Sequence, residues 1–264
     1  MRPLIAGAAM TAALLAHAAA HAAGADSAKY SAGDKRSGYL FSSPDTRAMQ
    51  DDDFQNPGMA WVDEGARLWS KADGAAGKSC GSCHGDAAST MKGVAAAYPK
   101  FNNHLGKAID LEQRINICRQ RALQAKPFPA ESRELLALTA YIKSQSRGLP
   151  MHVAVDGPAA PLFAEGRKAY EEPRGQNGMS CASCHGDEAG NRRLDTVSQG
   201  QSNGFPTYRL SWQTLGSVQR QFGNCLASMK AKPLAADSQE AIALELYVAA
   251  RGNGLPVETP AVRK

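Results

Sequence analysis

Two five-residue strings, Cys80-Gly81-Ser82-Cys83-His84 and Cys181-Ala182-Ser183-Cys184-His185, both read CxxCH and stand 101 residues apart in a chain of 264. With six Cys and six His available, chance would supply such a string only ~0.003 times, so two copies are no accident. The spacing has a chemical reason. On a short helix, two thiols three positions apart reach the two vinyl groups of one haem, and the adjacent His turns its imidazole toward the iron. A structural zinc site would need paired knuckles sharing one metal, which a separation of 101 residues opposes. A redox CxxC has no need of the fifth-position His. The sequence therefore predicts two covalently bound haem c groups, attached through Cys80 and Cys83 and through Cys181 and Cys184, with His84 and His185 as proximal iron ligands.

The motifs belong to a longer internal repeat. Glu64-Gly65 and Trp69 before the first string match Glu165-Gly166 and Tyr170 before the second. Downstream, Tyr98-Pro99 matches Phe205-Pro206, Cys118 matches Cys225, Ala125-Lys126-Pro127 matches Ala231-Lys232-Pro233, and Glu131 to Pro150 matches Asp237 to Pro256. The offset grows from 101 to 107, so the second copy carries about six extra residues between His185 and Phe205. An insertion beside one haem alone marks that side as a place to look for function.

Leu135, Leu138 and Ile142, and in the second copy Ile242 and Leu246, recur at helical spacing with Tyr141 and Tyr247. Gly148-Leu149-Pro150 and Gly254-Leu255-Pro256 end these segments. Alternating strand patterns are absent. The expected architecture is all-α: two tandem cytochrome c domains at 61–150 and 162–264, joined by a linker at 151–161 and preceded by an arm at 23–60 with no assigned chemistry. Aromatic residues make up only 6% of the chain, so each half would gain from an apolar cofactor in its core.

Residues 1–22 have the form of a secretory signal: Arg2, an apolar run from Leu4 to Ala16, then Ala20-His21-Ala22 at an expected cleavage site. The run is shorter than the roughly 20 apolar residues of a membrane span, and no later stretch qualifies. The expectation is an exported, periplasmic protein without a membrane span, in a compartment that tolerates disulfides. The net charge of +5 becomes +4 without the signal, too small and scattered an excess to suggest nucleic acid.

Cys118 and Cys225 remain unspent, one in each repeat at equivalent positions. Each could supply a thiolate as the sixth ligand of its own iron, or the two could pair as a disulfide. Met91 and Met229 are the alternative distal ligands, although Met91 has no counterpart in the second copy.

These residues resemble the diheme SoxA subunit of the SoxAX cytochromes, the L-cysteine S-thiosulfotransferases of bacterial sulfur oxidation. The resemblance spans essentially the whole chain after the signal. Besides the CxxCH strings it is carried by Gln113-Arg114-Ile115-Asn116 before Cys118, by Phe205-Pro206-Thr207-Tyr208-Arg209, and by Arg220-Gln221-Phe222-Gly223-Asn224-Cys225. It implies that Cys118 ligates the first iron and that Cys225 ligates the second as a catalytic cysteine persulfide. The implied activity is oxidative conjugation of thiosulfate to a carrier-protein cysteine. The implied partners are a SoxX-like monoheme cytochrome c, forming a heterodimer, and a SoxYZ-like carrier. One departure stands out: the family tends to carry a second basic residue directly after Arg220, where this chain has Gln221. Thiosulfate is a dianion and requires a cation beside the sulfur; Arg220, Arg251 and Lys230 are the candidates, with Arg209 also nearby in sequence, against the plain alternative of a solvated basic face. A tetrathionate-forming thiosulfate dehydrogenase and a simple diheme electron carrier are the competing readings.

Overall fold

The computed structural model describes residues 27–264 apart from Glu188, Asn191 and Leu194; the expected signal segment lies outside the described residues. Each half is organised by a pair of packed helices. In the first half these are α2 (Met59–Ser70) and α5 (Arg133–Ser144); in the second, α6 (Ala160–Glu171) and α8 (Gln239–Arg251). Both C-terminal helices begin at a serine N-cap, Ser132 and Ser238, whose hydroxyls accept from the N–H groups of Leu135 and Ala241. Their apolar stripes bury Leu135, Leu138 and Ile142 in one half and Ile242 and Leu246 in the other. The helices cross where the sequence repeats a glycine. A Cβ on Gly65 would lie 2.2 Å from the Ala137 carbonyl oxygen, and one on Gly166 would lie 2.0 Å from that of Ala243. Only a residue without a side chain permits this approach.

Between the paired helices, each half inserts its CxxCH segment and then a short helix bearing the extra cysteine. In the first half the motif is helix α3 (Cys80–His84), and Cys118 ends α4 (Leu111–Cys118). In the second half Cys225 lies on α7 (Val218–Ser228). The repeat extends to details of the backbone. Ser79 and Ser82 form a reciprocal capping pair ahead of the first motif, and Ser180 and Ser183 do the same ahead of the second.

Short strands do occur, in contrast to the expectation from patterning. Lys100–Asn102 pairs with Lys107–Ile109, and Thr207–Arg209 pairs with Thr214–Gly216 in the equivalent register. The C-terminal strand Ala261–Arg263 adds to the second hairpin in parallel. Three residues are too few to show a period of two in the sequence, and the chain remains helix-rich with two cytochrome c repeats.

The halves share core rather than hanging from a flexible tether. One apolar cluster joins Ala96 and Ala108 of the first half to Leu162, Ile242, Leu246 and Val257 of the second through Met151 and Val153. Another places Leu215 against Val62, Leu136 and Ala140. The two Leu-Pro ends also meet, with Pro150 bridged antiparallel to Pro256. The expected linker is thus pinned at its start, and α6 begins before it ends.

The arm crosses onto the second half. Its helix α1 (Pro44–Asp51) lies against the C-terminal strand. A buried polar network holds it there: Glu258 accepts from the Ser37 hydroxyl, from Gln50 Nε2 at 3.3 Å, from Asn203 Nδ2 at 3.1 Å and from Arg263 Nη2 at 2.6 Å. Asn56 Nδ2 adds a bond to the Pro260 carbonyl at 2.9 Å. Such a network survives burial because its members satisfy one another.

Candidate functional site: a cysteine- and histidine-lined cavity in the second half

A cavity of about 950 Å³ opens in the second half, lined by Cys184, His185, Cys225, Gln221, Arg209 and Phe205 on one side. The arm contributes its other wall through Gly38 and Leu40 to Pro44. Its size suits a large planar cofactor, since binding cavities of roughly 300–1,000 Å³ hold small molecules.

The inserted segment shapes the histidine. His185 Nδ1 lies 2.8 Å from the Ser198 carbonyl oxygen, so that contact uses Nδ1–H and leaves Nε2 as the ligating nitrogen. Gly200, at φ +75°, runs against the ring; a Cβ there would fall 2.8 Å from His185 Cγ. Burial lowers the His185 pKa, the bond to Ser198 opposes this, and Arg251 and Arg209 lower it further. A neutral imidazole is the form that binds iron. Ser198 and Gly200 were not legible as individual site residues, although the repeat's length mismatch pointed to their segment.

The sulfur chemistry is equally local. Burial pushes the Cys181 thiol up to about 11 and raises that of Cys225 as well. At Cys225, a hydrogen bond from Gln221 and the charge of Arg209 act in the opposite direction. The donor is Gln221 Nε2, 3.2 Å from Sγ. No disulfide joins any of the six cysteines, and Cys118 and Cys225 sit in separate halves. Met229 is buried in the second half, while Met91 packs against the apolar core of the first.

The first motif has a different setting. Cys80 packs against the core near Cys118, and burial raises its pKa while nearby Arg119 lowers it. Cys83 and His84 are exposed, and the His84 ring lies 5.7 Å from that of Trp69. Next to Cys118, the buried Arg119 bonds Asp73 at 2.8 Å and the Lys126 carbonyl at 3.0 and 3.1 Å, and it stacks 3.4 Å over Phe128. This clamps the Cys118 segment to the loop ahead of the motif.

The candidate cations divide clearly by position. Arg209 lines the cavity with Cys225. Arg220 instead stacks 4.3 Å over Trp212 and faces Glu131 at 4.0 Å. Arg251 stacks on Tyr170 at 4.7 Å, donates to the Gln199 carbonyl at 2.9 Å, and borders a smaller recess of about 250 Å³ shared with Lys35 and His185. Lys230 is exposed in a left-handed turn and lines neither recess.

Two helical repeats, each bringing a CxxCH string beside a further cysteine, define a c-type cytochrome. The lining fits its haem: the Cys184 thiol of the attachment pair, an imidazole with Nε2 left for iron, and the Cys225 sulfur brought in by another helix. The family model described as "SoxA/TsdA, cytochrome c domain" matches residues 64–151 and 165–257. The chain belongs to this family, and covalently bound haem c comes with the domain. It is 44% identical over 229 residues to the L-cysteine S-thiosulfotransferase subunit SoxA of Rhodovulum sulfidophilum, covering 86% of this chain and 80% of that one. The corresponding subunit of Paracoccus pantotrophus is 42% identical over 228 residues, covering 86% and 78%. The crystal structure of SoxXA from P. pantotrophus matches with a TM-score of 0.84 at 42% identity, over 87% of each chain.

Proposed function

We propose that the chain is a SoxA-type L-cysteine S-thiosulfotransferase subunit whose reaction takes place at Cys225. The observation that carries this reading is the meeting of Cys184, His185 and Cys225 in one cavity, in the half that bears the insertion. Two haem c groups are held, the first by Cys80, Cys83, His84 and Cys118, the second by Cys181, Cys184, His185 and Cys225. The haem supplies a one-electron acceptor and an iron centre beside the reacting sulfur. His185 is oriented for ligation by Ser198, and Arg209 provides positive charge on the Cys225 wall for the thiosulfate dianion. Arg251 and Lys35 supply cationic charge in the smaller recess that His185 also lines.

The overall conversion joins the carrier thiol to the sulfane sulfur: R–SH and S2O3²⁻ give R–S–S–SO3⁻, one proton and two electrons. The carrier's S–H bond breaks and the new S–S bond forms, so the sulfurs are oxidised and the electrons must leave. As a persulfide, Cys225 would bond the sulfane sulfur of thiosulfate with loss of two electrons; the carrier thiolate then attacks that sulfur, the new S–S bond to the persulfide breaks, and the persulfide is released as the leaving group. A SoxX-like cytochrome c bound as a heterodimer takes the electrons, as the similarity to the SoxXA complex supports, and a SoxYZ-like carrier takes the thiosulfate. Among the described residues no helix is long and apolar enough to cross a membrane. The sequence of residues 1–22 supports export to the periplasm.

The equivalent cysteines provide the test. Cys225→Ala is expected to abolish conjugation to the carrier, whereas Cys118→Ala changes the ligation of the first haem and leaves substantial turnover. Equal losses in both variants would contradict the assignment of the reaction to the second half.

A further inference from the structure

Gln221 and Cys225 lie four residues apart on α7 and therefore share a face, and that face lines the cavity. The amide nitrogen reaches the sulfur at 3.2 Å. Its oxygen, Oε1, is buried and has no donor among the described residues, so the hydrogen bond that fixes this amide is the one to sulfur. The preceding residue cannot substitute for it. Arg220 turns away to Trp212 and Glu131, and Arg209 is the cation whose charge acts on Cys225.

A neutral N–H donor and a cation act differently on an electron-rich sulfur. The amide withdraws density from sulfur and weakens its donation to a bound iron without adding charge to the cavity. A cation at the same point would also compete for the dianionic substrate. We propose that Gln221 is a positioning residue for Cys225: its N–H···S bond orients Sγ and lowers the sulfur's electron donation, leaving substrate charge to Arg209. This rests on the reading of Cys225 as iron ligand and reacting sulfur.

The test uses the holo-protein with two substitutions. Gln221→Leu keeps the side chain's approximate bulk and removes the donor, while Gln221→Arg keeps a donor. For Gln221→Leu, the electron paramagnetic resonance g-values of the second haem should move and its midpoint potential should fall, with the first haem unchanged. Loss of one hydrogen bond should reduce kcat about fivefold with KM within about twofold. Gln221→Arg, which keeps a donor but adds charge, should hold the g-values closer to those of the parent protein than Gln221→Leu does, while changing KM for thiosulfate. Unchanged g-values and potential in Gln221→Leu, or equal shifts at both haems, would overturn the proposal. Cys225→Ala separates the two levels of the argument. If it alters the second haem's spectrum and Gln221→Leu does not, only the role of Gln221 falls. If it leaves that spectrum untouched, the underlying reading fails and the proposal falls with it.

Discussion

Glu258 is the point at which the arm, the C-terminal strand and the cavity wall are tied together, and its removal should be costly in a specific way. Its carboxylate is 1% exposed and accepts from Ser37, Gln50, Asn203 and Arg263, the last also largely buried. In Glu258→Ala the guanidinium loses its charged partner and three neutral donors lose an acceptor at once. Breaking a buried pair from one side costs about 3–5 kcal/mol, a large share of the 5–15 kcal/mol that a typical domain has to spare. Glu258→Gln, which preserves shape and one acceptor, should cost less. Glu64→Ala is the control, since its pair with Arg67 is solvent-facing and worth about 0–1 kcal/mol. Urea unfolding of the holo-protein measures the difference, and limited proteolysis should show cleavage within residues 27–58 in Glu258→Ala before the helices are attacked. If Glu258→Ala shifted the midpoint no more than Glu64→Ala, with the arm still protected, the network would not be what fixes the arm to the second half.

Glycines of opposite character offer a paired test. Gly166→Ala forces a Cβ onto the Ala243 carbonyl and should destabilise by at least about 1–3 kcal/mol, whereas Gly223→Ala, on helix α7 with nothing within 4 Å, should stabilise by about 0.5–1 kcal/mol; thermal melts of both variants check the opposite signs. A second expectation concerns the carboxylates between the halves, where Gln219 Nε2 joins Asp110 at 3.1 Å and Glu245 at 3.2 Å. Burial pushes Asp110 up to about 6 and Glu245 up to about 8, and raises Glu112; Glu131 and Asp237 add to the repulsion, while Lys143 opposes it and is itself lowered by burial. Folding therefore favours the protonated acids. Their contribution is fully present near pH 4 and is lost as the pH rises toward 8, so Glu245→Gln should flatten the decline in stability between pH 5 and 8. Urea midpoints measured across that range would show no change of slope if the burial were not felt.

The repeat made much of this fold legible. CxxCH announces its chemistry through fixed spacing, and the two serine-capped C-terminal helices show a clear helical period. Gly65 and Gly166 could be matched by sequence, but their role became visible only where each helix meets a carbonyl of its partner. The arm was not legible, because its anchors Ser37, Gln50, Asn56 and Glu258 are scattered polar residues whose meaning depends on contacts more than 200 residues away in the chain. The site shows the same division. Cys225 stands out as the unspent cysteine of its repeat, whereas sorting Arg209 from Arg220 requires knowing which of them lines the cavity and which faces Glu131. Gln221 appeared only as a departure from the family's pattern. Its contact with Sγ follows from the four-residue spacing, and that spacing carries no signal until the segment is known to be a helix facing the cavity.

The central claim is that Cys225 directs thiosulfate onto a carrier cysteine. Its most direct test is the intact mass of the carrier protein after incubation with thiosulfate, an electron acceptor and either the parent protein or Cys225→Ala. The account predicts a gain of one S2O3 unit on the carrier with the parent protein and no gain with Cys225→Ala. An unchanged carrier accompanied by tetrathionate in solution, or full conjugation by Cys225→Ala, would contradict it.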